Sequence, residues 1–149
     1  MRILVDADAC PVKQEIVRVA DRHQMKVIFV SNAAMRLPDG YAVERVVVED
    51  GPDVADNWIA DAIEPGDVVI TSDIPLADRS LKKQAVVLKP NGDGFDTSSI
   101  GMALAMRDLS AHLREQGGQT RHAEFSKKDR SHFLQSLENA IQKQKRLGH

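Results

Sequence analysis

Five short apolar runs, each followed by a turn or a segment of helical period, dictate what this chain can fold into. Residues 3–5, 26–30, 44–48, 68–71 and 85–88 are rich in Val, Ile and Leu. Nearly unbroken runs of this kind suit strands buried on both faces of a sheet. Between them lie segments whose apolar residues recur every three or four positions. Val12, Ile16, Val19 and Ala20 share one helical face, with Lys13, Glu15, Arg18 and Arg22 opposite, which predicts a helix over 11–23 with Pro11 at its start. Val54, Ala55, Trp58, Ile59, Ala62 and Ile63 predict a second helix, stopped by Pro65-Gly66, and Leu76 and Leu81 mark a short third one after Pro75. Strand–helix alternation predicts an α/β fold: a three-layer α/β/α sandwich around a mainly parallel sheet with right-handed crossovers.

After the fifth run, residues 89–96 read as a turn-rich loop. Thr97, Ser98 and Ser99 can cap a long helix reaching about residue 115, striped by Met102, Met106, Leu109 and Leu113 and stopped by Gly117-Gly118. Ser126-Lys127-Lys128-Asp129 fits a capping box, and Phe133, Leu137 and Ile141 stripe the helix after it. The 149 residues suffice for one domain, 1–149, with the helical segment of about 97–145 packed on it.

Composition narrows the function classes. No apolar run approaches the roughly 20 residues of a membrane span, so no membrane association is expected. A single cysteine excludes an internal disulfide framework, and with the first strand starting at once no secretory leader is expected; a cytoplasmic location follows as the expectation. Aromatics are 4% of the chain, too few to suggest a stacking platform for single strands. Neither a Walker motif, nor Gly-x-Gly-x-x-Gly after the first strand, nor zinc-ligand spacing is present. The net charge of −2 conceals an asymmetry: residues 1–100 hold 17 acids against 11 Lys and Arg, whereas residues 101–149 hold 5 against 9. An acidic body with a basic end is able to pair a metal site with a phosphate-binding arm, or is simply charged helical surface.

The acids are placed where chemistry is done in such folds. The first run breaks off in Asp6 and Asp8, the fourth in Asp73, and Asp56 stands near the start of the helix that leads into the fourth. Strand ends of a parallel sheet converge on one edge, the edge on which ligands bind. Carboxylates gathered there repel, and their pKa values rise unless a cation neutralises them. Mg²⁺ or Mn²⁺ matches such hard oxygen donors and leaves room for waters and a phosphate. The competing reading has Asp6 and Asp8 shaping a turn, Asp73 and Asp53 serving helix starts, Asp78 no more than an outer acid and Asp61 a surface charge. Ser31-Asn32 after the second run suits either a phosphate contact or loop closure. Cys10 lacks the Arg six residues further on that a Cys-x5-Arg phosphatase needs, since position 16 is Ile16, and is read as a small capping or buried residue. Arg121-His122 with Lys127 and Arg130, beside a helix N-terminus, form the best anion-binding candidate; the plain alternative is a charged, capped helix start.

Four stretches carry a resemblance. Val5-Asp6-Ala7-Asp8-Ala9-Cys10-Pro11-Val12, Asp53-Val54-Ala55-Asp56-Asn57-Trp58-Ile59, the run from Gly66 through Thr71-Ser72-Asp73-Ile74-Pro75 to Ala77, and Phe125-Ser126-Lys127-Lys128-Asp129-Arg130-Ser131-His132-Phe133 resemble the motifs of the bacterial YaiI/YqxD family of uncharacterised proteins. That family is grouped with PIN-like domains, so the resemblance implies a PIN-like fold and an Mg²⁺- or Mn²⁺-dependent ribonuclease-like site. By position it implies Asp6, Asp56 and Asp73 as catalytic, metal-holding residues, with Asp8 as an additional ligand. Hydrolysis of a phosphodiester, with RNA or another phosphate-containing substrate as partner, is the resulting expectation; Ser72, Lys127 and Arg130 would contact phosphate. Two rivals stand beside it. One is a haloacid-dehalogenase-like phosphatase using Asp6 as nucleophile, with Thr71 or Ser72 as its hydroxyl; the other is a non-catalytic metal- or nucleic-acid-binding module.

Overall fold

A computed structural model describes residues 1–51, 53–97, 100–102, 105 and 126–148. The elements in chain order are β1 (Arg2–Asp6), α1 (Lys13–Arg22), β2 (Lys26–Ser31), β3 (Val43–Val47), α2 (Val54–Ala62), β4 (Val68–Ile70), α3 (Ile74–Lys82), β5 (Val86–Leu88), β6 (Gly94–Phe95) and α4 (Lys127–Arg146). Among the described residues the strands form one six-stranded sheet in the order β3-β2-β1-β4-β5-β6. Every pairing is parallel except the last, β5 with β6. The fold is therefore α/β with a mostly parallel sheet between two helical layers.

Alternate residues of the central strands face opposite layers, as the period of two requires. Ile3, Val5, Val27, Phe29, Val68 and Ile70 join Ile16, Val19 and Ala20 of α1 and Phe133, Leu137 and Ile141 of α4 in one core. Leu4, Ile28, Val30, Val69 and Val87 join Ile59 of α2 and Leu76 and Ala77 of α3 in the other. Phe133, Leu137 and Ile141 are wholly buried. Each contributes about 1.5–3 kcal/mol relative to exposure, which fastens α4 to the body.

Some boundaries differ from those expected, for local reasons. A 3-10 turn over Ala7–Ala9 intervenes between β1 and α1, so α1 begins at Lys13 and not at Pro11. Residues 89–96 are not merely a loop. A turn closed by Lys89 N–H to the Asp93 carbonyl (2.8 Å) and Gly92 N–H to the Lys89 carbonyl (2.9 Å) returns the chain antiparallel onto β5 as β6. Ser126 and Asp129 form the capping box the sequence suggests: Asp129 N–H donates to Ser126 Oγ at 3.1 Å, and Ser126 N–H to Asp129 Oδ2 at 3.0 Å. Residues 100–102 and 105 are helical, while most of the helix expected up to residue 115, with its cap, its glycine stop and Arg121-His122, lies outside the described residues. No helix among the described residues is long and apolar enough to cross a membrane.

Candidate functional site

The strand order changes direction at β1, which pairs with β2 on one side and β4 on the other. Successive connections leave from the two sides of this point and part there, opening a crevice at the strands' carboxyl ends. Asp6 ends β1, Thr71 follows β4, and Asp73 stands two residues on, at the start of α3. From the same edge α2 contributes Asp56 in its first turn.

Thr71 is the pivot. Its buried side chain donates from Oγ1 to Asp6 Oδ2 at 3.1 Å and accepts from the Asp73 backbone N–H at 3.0 Å. One hydroxyl thereby fixes both the Asp6 carboxylate and the turn that carries Asp73. Asp73 Oδ1 in turn caps α3 by accepting from Leu76 N–H at 3.0 Å. The capping and the site readings of Asp73 hold together: one oxygen is committed to the helix while the side chain stays half-buried beside the other acids.

Neither Asp6 nor Asp8 caps a helix. Asp8 is exposed and accepts from the Asn32 backbone N–H (3.2 Å), tying the loop after β2 to the end of β1. Ser31 closes that same loop onto the Ala33 carbonyl at 2.6 Å. Ser72 is exposed beside Asp73, and the hydroxyl that engages the acids is that of Thr71.

Electrostatics bind the acids into one unit. Burial raises the pKa of Asp6, Thr71 opposes it, and the charges of Asp8 and Asp73 raise it further. Asp56 is pushed up to about 7, first by burial, then by the charges of Asp73 and Asp6, a shared hydrogen bond with Asp73 and the charge of Asp53. Asp53 precedes α2 in the left-handed region (φ 65°) and does not cap it with its side chain. Arg79 of α3 reaches across to Asn57 Oδ1 at 2.7 Å, next to Asp56. Among the described residues no group of three or more His, Cys, Asp or Glu side chains stands close enough together to hold a metal ion as placed. Asp56 and Asp73 share a hydrogen bond, and Asp6 acts on both through its charge.

The remaining candidates lie elsewhere. Asp78 pairs with Lys82 at 3.0 Å on α3 and Asp61 is a surface charge. Burial pushes the Cys10 thiol up to about 11, which leaves it protonated and inert. Lys127 is exposed in the first turn of α4. Arg130 donates to the Pro11 carbonyl at 2.9 Å and to Glu15 Oε1 at 3.1 Å, so it joins α4 to the start of α1 close to Asp8 in sequence.

The order of carboxylates along the chain, and the motifs around them, coincide with one known group. The model of the uncharacterised YaiI/YqxD family matches residues 4–143. The chain belongs to the YaiI/YqxD family. Its relatives include a UPF0178 protein of Gluconobacter oxydans, 54% identical over 141 residues that cover 94% of this chain and 81% of that one. A UPF0178 protein of Parvibaculum lavamentivorans is 57% identical over 142 residues, covering 94% and 93%. One from Caulobacter vibrioides is 50% identical over 145 residues, covering 97% and 95%. No solved structure matches the chain. In this YaiI/YqxD protein the residue that sequence reasoning underweighted is Thr71. Its only signal was a hydroxyl closing a run of Val and Ile, directly before Ser72-Asp73.

Proposed function

We propose that this YaiI/YqxD protein is a divalent-metal-dependent hydrolase of phosphodiester bonds, with RNA as its substrate class. The observation that carries the reading is the meeting of Asp6, Asp56 and Asp73 at the switch point of the sheet, where burial first, and then the charges of Asp73 and Asp6, push Asp56 up to about 7. Crowding of this kind is costly to a purely structural surface and useful where a cation is to be bound. The donors are hard carboxylate oxygens, which fit Mg²⁺ or Mn²⁺. Mg²⁺ keeps several waters and needs only one or two direct carboxylates, so an open crevice suits it better than a closed cage. When bound, the metal supplies an acidified water and neutralises charge on phosphate.

The chain's own residues have separable tasks. Thr71 holds Asp6 in one rotamer, through its bond to Oδ2. Asp73 keeps one oxygen on Leu76 N–H and shares a hydrogen bond with Asp56. Asp56 carries the proton that must leave before a cation is held, so metal affinity rises as pH passes through about 7. Asp8 adds negative charge at the rim beside Asn32. The PIN-like grouping that the family resemblance implies supports the same chemistry.

The test is Mn²⁺-dependent cleavage of single-stranded RNA by the intact protein and by Asp6→Asn prepared identically. Cleavage by the first and not the second is the expected result. Equal cleavage by both removes Asp6 from the mechanism. A phosphorylated Asp6 trapped from a phosphomonoester substrate would replace the nuclease with the phosphatase. Metal or RNA binding without any hydrolysis would leave a binding module.

A further inference from the structure

A cleft of about 1010 Å³ begins at Cys10 and Pro11, just past Asp8 in the chain, and runs along the flank of α1 towards the loop of residues 36–39 and β3. Its charged lining consists of Lys13, Arg36, Arg45 and Arg130 against Glu15 and Asp39. Glu15 is already neutralised by Arg130 at 3.1 Å. Lys13 spends one ammonium proton on the Cys10 carbonyl at 2.8 Å and keeps two. Arg36 and Arg45 are exposed, and among the described residues neither is in an ion pair or a side-chain hydrogen bond.

Arg45 is the informative member. Its Cα pairs with Phe29, and its neighbour on the same face, Val43, packs into the core beneath α1. The alternation of β3 therefore turns Arg45 to the face where the central strands carry Val and Phe. An apolar residue would be the default at such a register. A guanidinium there, in no ion pair among the described residues, gives the cleft beside α1 a positive floor. Exposed arginines commonly lie against some acid of their own surface. Two in one cleft that form no ion pair among the described residues make a surface suited to phosphates supplied from outside.

We propose that this cleft binds the phosphate backbone of a single-stranded RNA and leads it to the carboxylate crevice, with Arg36 and Arg45 as its principal phosphate contacts and Lys13 at the end nearest Asp8. The choice of RNA rests on the hydrolase reading above. The binding itself needs no metal and no hydrolysis, so the two fail separately.

The experiment is fluorescence anisotropy of a labelled 12-nucleotide single-stranded RNA in EDTA, over a series of salt concentrations, with wild type, Arg36→Gln/Arg45→Gln and Arg36→Lys/Arg45→Lys. A Lys26→Gln/Lys82→Gln variant, which removes two exposed charges outside the cleft, controls for net charge. Each phosphate contact to a single strand contributes about 0.7 to the slope of log K against log salt. The glutamine pair is expected to lose about 1.4 of that slope and roughly tenfold or more in affinity near 0.1 M salt. The lysine pair retains most of the slope, and the control stays close to wild type. Matching melting curves establish that the variants are folded. A glutamine pair that binds with wild-type affinity and slope overturns the proposal, as does a wild type that does not bind. A labelled mononucleotide that binds as tightly as the 12-mer also overturns it, since the cleft would then hold a single phosphate and not a chain.

Discussion

Thr71 places two acids with one oxygen, so its replacement by the isosteric Val is informative. Thr71→Val leaves the Asp73 N–H without its acceptor and Asp6 without its donor. The expected cost is about 1–3 kcal/mol, read by urea denaturation, and Mn²⁺ binding measured by calorimetry weakens with it. Asp56 gives a prediction in pH. An unfolded Asp releases its proton near pH 3.9, whereas Asp56 in the folded chain holds it to about 7. The folded state therefore binds more protons in that window. The stability this group contributes is complete below about pH 4 and is lost as pH rises through 7. Asp56→Asn should melt above wild type at pH 8 and close to it at pH 5. Added Mn²⁺ at pH 8 should raise the wild type more than the variant. Asp6 and Asp73 stand out in the sequence because each follows a buried apolar run, although an acid there also serves turns and helix starts, as Asp73 does for α3. Thr71 was hard to weigh because a β-branched hydroxyl residue passes for one more strand position.

At the scale of elements, α4 is held at its N-terminal end by a cap and by close packing. Its Ser126–Asp129 box satisfies the first amides, and Ser126→Ala should cost about 1 kcal/mol. Gly92, in the turn before β6, lies directly against the helix. A Cβ there would stand 2.5 Å from His132 Cδ2 and 2.8 Å from both the His132 carbonyl carbon and the Phe133 nitrogen, with φ already at +97°. Gly92→Ala is expected to destabilise by more than about 1 kcal/mol. Gly101→Ala, in helical backbone with nothing within 4 Å of the added carbon, should be neutral or stabilising by up to about 1 kcal/mol. Thermal melts of the two variants give the contrast. Periodicity revealed α1, α2 and α4 because each buries a stripe long enough to register. It concealed β6, since two residues carry no period and pairing onto β5 is fixed by the turn at 89–93 and not by an apolar pattern.

On the scale of the whole molecule, strand–helix alternation foretold a mostly parallel sheet but not its order. The placement of β4 beside β1 depends on the long crossover through α2, which local sequence does not encode. Asp56 could be grouped with Asp6 and Asp73 only by assuming that crossover. The opposite edge of the sheet is tied by Arg2, whose guanidinium bonds Asp67 Oδ2 at 2.8 Å and the Ala62 carbonyl at 2.7 Å. Asp67 also accepts from Arg2 N–H at 3.0 Å and Glu64 N–H at 2.9 Å, and its side chain is 2% exposed. Asp67→Ala strands all three donors and should cost about 3 kcal/mol or more, measured by denaturant unfolding.

The two cores differ in how much of the chain each must wait for. The one under α2 and α3 is built from residues between Leu4 and Ile100. The one under α1 is sealed by Phe133, Leu137 and Ile141 of α4. Synthesis proceeds from the N-terminus at about 5–20 residues per second. A growing chain thus acquires every described residue of one core while the other still presents Val5, Val27 and Phe29 without the cover of α4. For some seconds the α1 side of the nascent protein keeps apolar surface in water that α4 covers when it docks.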